Sequence, residues 1–237
     1  YLNSKLKIFQ LQKKNQYAIL NKKLKKAFIK KNFSSKLIVP NCKNYKHIKH
    51  KIKNNYLTSE INDENMCFIY TLVKLLKIKE KLFIRAMKTF EGLSHRFEIF
   101  LKKKNITFIN DSKATSFTAS QLALSSLKNI YWILGGLPKR GDRFSVSKFK
   151  KNIVKCYIIG KNVNFFKKQI DGKLLYSITK NLKNTLVNIS KDFKNQKQFE
   201  KTILFSPAAA SFDQFTNFEI RGEVFKRLCK IYAKKLI

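Results

Sequence analysis

From Gly92 onward the sequence alternates short apolar runs with longer stretches of helical spacing, a pattern that restricts this part of the chain to βαβ units around a mostly parallel sheet. Ile106 to Ile109, Ile130 to Leu134, Val154 to Ile159 and Thr202 to Phe205 are predicted strands, with a weaker one near Leu174 to Tyr176. Predicted helices fill Phe117 to Leu127, Val163 to Gln169 and Ile178 to Ile189. A last helix over Phe218 to Lys235 repeats Phe218, Phe225, Leu228 and Tyr232 on one face. Before Gly92 the signals are mixed. A basic helix over Tyr1 to Gln12 and apolar runs at Tyr17 to Leu20 and Lys36 to Val39 precede helices near Asn62 to Leu76 and Lys79 to Phe90. This reads as the tail of one domain, residues 1–91, followed by a second, residues 92–237. Opening inside a helical pattern without Met, the chain carries the expectation of further residues upstream of Tyr1.

With 44% hydrophobic residues the chain can bury a real core. A formal charge of +37 would suit a nucleic-acid-binding module, because dense basic patches neutralise phosphates and release counterions. Only six of the 51 basic residues are arginine, however, and the lysines are spread evenly. Readers of base edges rely on the bidentate arginine fork, so solvated lysines on a globular surface are the preferred reading and no nucleic-acid partner is expected. The four cysteines, Cys42, Cys67, Cys156 and Cys229, form no CxxC pair and have no His at metal-ligand spacing, which suggests reduced thiols and a cytoplasmic protein. No apolar run approaches the roughly 20 residues that span a bilayer, so no membrane partner is expected either.

Polar residues follow three of the predicted strands: Asn110-Asp-Ser-Lys-Ala-Thr115, Gly135-Gly-Leu-Pro-Lys139 and Ser206-Pro-Ala-Ala-Ala-Ser211. In a right-handed parallel sheet all three emerge at the carboxyl edge, where open α/β sheets bind ligands. Any one of them alone reads better as a helix cap with a surface lysine. Together they define a cleft in which glycines permit close backbone approach, and Lys113 and Lys139 offer point charges to phosphate or carboxylate. No segment matches the triphosphate-cradling GxxxxGK(S/T) loop. Composition and spacing lead to anionic ligands and no further.

The run Ser206-Pro-Ala-Ala-Ala-Ser-Phe-Asp-Gln-Phe-Thr-Asn-Phe-Glu-Ile-Arg-Gly222, with Gly92-Leu-Ser-His-Arg-Phe-Glu98 and Asn110-Asp-Ser-Lys-Ala-Thr115, resembles the Mur ligase family, and within it the D-glutamate-adding branch. The likeness is firm from Gly92 to the end and thinner before it. It implies a C-terminal Rossmann-like domain, a mostly parallel sheet flanked by helices, preceded by the tail of an α/β central ATPase domain. Implied ligands are ATP with Mg2+, D-glutamate and UDP-N-acetylmuramoyl-L-alanine, and the implied protein is a monomer. A ligase of another amino-acid specificity and a degenerate remnant are the nearer alternatives. Without a GKT loop among these residues, the chain by itself is expected to be inactive.

Residue by residue, the resemblance makes Lys5 the lysine carbamylated as a magnesium ligand, with an ordinary solvated lysine as the alternative. A carbamate turns the cation into a carboxylate-like oxygen donor suited to that hard ion. Asn62 and Asn65 border the adenine, although Asn62 also reads as a helix cap, and Ile61 replaces the usual family His. Arg96 and Asp111 match residues around the ATP ribose, and Lys113 matches one near the terminal phosphate. Thr115 and Lys139 match contacts to the α-carboxylate of D-glutamate; Ser211, Phe212 and Phe218 match those around its side-chain carboxylate. The two phenylalanines read equally as core. His95 is taken as structural, and Arg221 as scaffold orienting Asp213 or Glu219.

Overall fold

The computed structural model of the protein describes residues 2–54, 56–59, 62–194 and 200–233. Between Glu91 and Gly92 the chain divides into two compact units.

The first unit opens with α1 (Leu2–Gln10) and a two-stranded parallel sheet, β1 (Tyr17–Ile19) against β2 (Lys36–Ile38), joined through α2 (Lys25–Lys30). Phe9, Phe28 and Phe33 cluster beneath this sheet beside the buried Ala18. Three helices follow: α3 (Cys42–Lys49), α4 (Asp63–Leu75) and α5 (Glu80–Lys88). They pack around Tyr45, Ile48, Met66, Tyr70 and Phe83. The Asn41 side chain accepts from Lys43 N–H and satisfies one of the donors left open at the start of α3. Cys42 and Cys67 are paired as a disulfide joining α3 to α4, with Cα atoms 5.1 Å apart. That corrects the expectation of four reduced thiols: helix packing brings together side chains 25 positions apart, which spacing alone does not reveal. Cys156 and Cys229 are free and buried.

The second unit is a six-stranded sheet in the order β3-β4-β8-β5-β6-β7. Its strands are β3 (Glu98–Lys103), β4 (Ile106–Asn110), β5 (Ile130–Gly135), β6 (Ile153–Ile159), β7 (Tyr176–Lys180) and β8 (Lys201–Phe205). All neighbours are parallel except β3, which pairs antiparallel with β4 at one edge. All six residues of β5 are buried, as expected of a central parallel strand covered on both faces. Ile130, Trp132 and Leu134 point to the face covered by α6 (Phe117–Ser126) and α7 (Val163–Ile170). Tyr131 and Ile133 point to the opposite face, under α8 (Leu182–Lys194) and α9 (Phe218–Tyr232).

The fold class expected from the sequence is the observed one: mixed α/β with a mostly parallel central sheet flanked by helices. Two boundaries differ. The weak strand expected at Leu174–Tyr176 runs over Tyr176–Lys180, and the helix expected from Ile178 begins at Leu182. Lys180 takes a left-handed turn (φ 65°), and Asn181 opens the helix by accepting from Asn184 N–H at 2.9 Å. Of the apolar residues at 178–189, Ile178 therefore belongs to the strand and Leu182, Leu186, Val187 and Ile189 to the helix. Strand β3 carried no clear sequence signal, because Glu98-Ile-Phe-Leu-Lys-Lys103 has neither a regular polar–apolar alternation nor a continuous apolar run. Among the described residues no helix is long and apolar enough to cross a membrane.

Candidate functional site at the carboxyl rim of the sheet

The adjacent parallel strands β4, β8 and β5 end on one rim, so segments 110–115, 206–211 and 135–139 emerge side by side. They bond directly to one another. Asp111 N–H donates to Phe205 O at 2.7 Å and Gly135 N–H to Pro207 O at 2.9 Å. Leu137 and Ala210 exchange N–H···O bonds of 2.8 and 2.9 Å. The gathering of the three loops expected from the sequence is thus seen in their backbones.

One buried side chain fastens two of these loops to α9. Arg221, 1% exposed, donates through Nε to Ser112 Oγ (3.0 Å), through Nη2 to Ser112 O (2.7 Å) and through Nη1 to Ala209 O (3.0 Å). Ser112 Oγ in turn donates to Phe218 O at 2.8 Å. Burial pulls the guanidinium pKa down to about 10, partly opposed by the charge of Asp213, so the group stays cationic at neutral pH. Its scaffold role is as expected, but its bonds go to Ser112 and Ala209. Asp213 instead accepts from Lys161 N–H at 3.1 Å.

Asp111 lies under the rim. Its Oδ1 accepts from Phe97 N–H (3.1 Å) and its Oδ2 from Ser206 Oγ (2.7 Å), and Ser206 Oγ lies 2.9 Å from Ser120 Oγ. Burial pushes its pKa up to about 6, against the opposing effects of Ser206, Phe97 N–H and Arg96. A raised carboxyl pKa contributes stability that is complete below the usual value near 4 and lost as pH rises through about 6. Asp111→Asn keeps the shape, and the serine hydroxyls can rotate to accept its amide. This variant is expected to be more stable than the parent at pH 7.5, by on the order of 1–2 kcal/mol, with the gap closing near pH 4. Urea denaturation at both pH values checks this, and a parent as stable as the variant at pH 7.5 would contradict it.

Around Asp111 the chain takes unusual turns. His95 and Phe97, flanking Arg96, both have positive φ, 63° and 49°. Residues 95–98 are pinned by Lys113 N–H to His95 O (3.0 Å) and by Glu98, which accepts from His95 N–H (2.9 Å) and Asn110 Nδ2 (3.0 Å). His95, 6% exposed, meets Asn110 Nδ2 through Nδ1 at 2.9 Å and is structural as expected. Arg96 is held out toward solvent. The Lys113 ammonium stands 3.7 Å above the Phe218 ring, a cation–π contact.

Thr115 and Lys139 are half-buried and exposed respectively, on neighbouring loops. Phe218 is half-buried, while Phe212, 70% exposed, is no core residue. Ser211 is 2% exposed and its Oγ has no hydrogen-bond partner among the described residues. Leaving a buried hydroxyl unpaired costs about 1–3 kcal/mol, so such a group marks a place where a polar partner is missing.

In the first unit, Asn62 stands at the head of α4 without capping it through its side chain. Its amide donates instead to Tyr56 O at 2.8 Å, which corrects the cap expectation. Asn65, exposed one turn on, lies 3.4 Å from Asn62 Oδ1. Ile61 lies outside the described residues. Lys5 is exposed on α1. Among the described residues no three His, Cys, Asp or Glu side chains converge as a metal site.

The buried polar features differ in how far the sequence signals them. Arg221 sits on the core-facing stripe of α9 with Gly222, Phe225 and Cys229, and a charged residue on such a stripe is itself a sign of a buried polar bolt. The Ser120–Ser206 link joins positions 86 apart and left none.

The class these observations define is a doubly wound α/β domain whose carboxyl rim gathers three polar loops over a buried carboxyl and a buried guanidinium. No protein-family model matches the chain. It is 32% identical, along 97% of its length, to the UDP-N-acetylmuramoylalanine–D-glutamate ligase of Rickettsia prowazekii, of which it spans 56%. It is 40% identical over 173 residues to the ligase of the same name from Wolbachia sp. subsp. Brugia malayi, of which it spans 34%. A crystal structure of MurF from Acinetobacter baumannii shares the fold over 73% of this chain and 38% of that one, with a TM-score of 0.56 at 12% identity. The resemblance to the Mur ligases is therefore borne out, and its sequence relatives are the D-glutamate-adding ones. The chain spans between a third and just over a half of those relatives' length.

Proposed function

We propose that this chain carries the amino-acid-binding domain, residues 92–237, and the later part of the central ATP-binding domain, residues 1–91, of a ligase that adds D-glutamate to UDP-N-acetylmuramoyl-L-alanine. The observation that carries the reading is the orphaned hydroxyl of Ser211, on the loop bonded to the Lys139 loop and bolted by Arg221 to the Lys113 loop. The names of the sequence relatives supply the substrate class. ATP, when bound, supplies the phosphoryl group that activates the precursor's carboxylate as an acyl phosphate for attack by the amine of D-glutamate.

In this reading the chain's own residues bind and orient. Thr115 and Lys139 take the α-carboxylate of D-glutamate, and Ser211 donates to its side-chain carboxylate between Phe212 and Phe218. Lys113 leaves the Phe218 ring to meet phosphate charge. Asn62 and Asn65 border the adenine. Lys5, as a carbamate, would give magnesium one oxygen.

Lys139→Ala and Ser211→Ala in the intact enzyme are each expected to raise KM for D-glutamate about tenfold or more, the loss of one hydrogen bond to a charged ligand. KM for ATP should stay within about twofold. Steady-state kinetics with D-glutamate and with alternative amino acids test this. An unchanged KM for D-glutamate in both variants, or a preference for another amino acid, would overturn it.

A further inference from the structure

We propose that Asp142 is a positioning residue that sets the separation of Thr115 and Lys139, and hence the fit of the α-carboxylate of D-glutamate; this rests on the ligase reading above. Lys139 lies on a loop fixed upstream by the Leu137–Ala210 backbone pair. Downstream the chain turns at once: Asp142 N–H donates to Lys139 O at 3.1 Å, and Gly141 takes the left-handed position of that turn (φ 75°). The Asp142 carboxylate then reaches across the rim and accepts from Phe117 N–H at 2.8 Å. Phe117 is the first residue of α6 and stands two positions after Thr115.

Ser116 caps α6 locally, accepting from Ala119 N–H at 3.3 Å, while the N–H of the enclosed Phe117 is met from outside the helix. What the bond from 25 positions away adds is a fastening of the Lys139 turn to the Thr115 segment. Beyond it the return leg is anchored in the core, where the Phe144 ring stacks on Phe117 at 5.1 Å. Lys139 itself is exposed on a long flexible stem, so the height of its backbone above Thr115 is what this clasp controls. Holding the turn before substrate arrives avoids ordering it on binding, which is how preorganisation raises affinity.

The test is steady-state kinetics of Asp142→Ala and Asp142→Asn in the intact enzyme, with amide hydrogen exchange at Phe117. Asp142→Ala is expected to raise KM for D-glutamate about tenfold while kcat falls less than about threefold and KM for ATP holds. Asparagine keeps an acceptor oxygen and is expected to return KM to within about twofold of the parent. Phe117 N–H should exchange at least about tenfold faster in the alanine variant alone. An unchanged KM in Asp142→Ala, equal impairment in both variants, or unchanged exchange at Phe117 would overturn the positioning role and leave the ligase reading intact. A parent enzyme with no D-glutamate-dependent turnover would sink the ligase reading, and the role of Asp142 with it.

Discussion

Replacing Arg221 with alanine is expected to lower the stability of the 92–237 unit by about 4 kcal/mol and to abolish D-glutamate use. The guanidinium is 1% exposed and makes three hydrogen bonds, two to backbone carbonyls, with the Phe205 ring 5.7 Å away. Removing it leaves Ser112 O and Ala209 O buried without this donor, at about 1–3 kcal/mol each, and opens a cavity between α9 and the rim. Arg221→Lys retains the charge but replaces a fork of donors by one ammonium, which cannot reach both loops at once. Its expected loss is about half as large. Urea denaturation measures both, and a loss below about 1 kcal/mol for the alanine variant would show that the two loops hold their places without the bolt.

The strands around the rim were legible because they are buried on both faces. Ile130–Gly135 and Lys201–Phe205 are runs in which every residue is enclosed, so they stand out against polar loops. The candidate site was legible as three loops because parallel topology dictates which strand ends meet. Less was readable wherever long-range packing decided the outcome. Helix α9 shows this: sequence periodicity put Phe218, Phe225, Leu228 and Tyr232 on the inner face, and Phe225 is fully enclosed with Leu228 and Tyr232 packed beside it, but Arg221, Gly222 and Cys229 are enclosed there too. Gly222 lies against the His95 ring and Asn110, where a side chain would overlap Nδ1. Asp142 was invisible for a different reason. After Gly141 it reads as an ordinary turn residue, and nothing local tells that its carboxylate caps a helix on another loop.

The contact between the GGLPK and SPAAAS loops gives the second large expected effect, for Gly136→Ala. Gly136 has φ 138°, a conformation that L side chains rarely adopt. An added Cβ would overlap the Ala210 carbonyl oxygen and come within 3.1 Å of Ala209 Cβ and 3.2 Å of Arg221 Nη1. None of these neighbours is the free end of a flexible chain: one is backbone, one a methyl enclosed in the core, and one the bolted guanidinium. The loops must therefore separate, breaking the paired Leu137–Ala210 bonds and disturbing the Arg221 bond to Ala209. A loss of more than about 3 kcal/mol follows, with a fall of roughly 10 °C in melting temperature. Gly141→Ala provides the internal comparison, since it shares a positive φ, 75°, but an added Cβ there meets nothing within 4 Å. Backbone strain alone then costs about 1 kcal/mol, a shift of a few degrees. Thermal denaturation of the two variants separates strain from collision: melting temperatures that fall equally would mean that the loops at the rim do not press on one another at Gly136, and the close joining of the Lys139 and Ser211 segments would lose its physical basis.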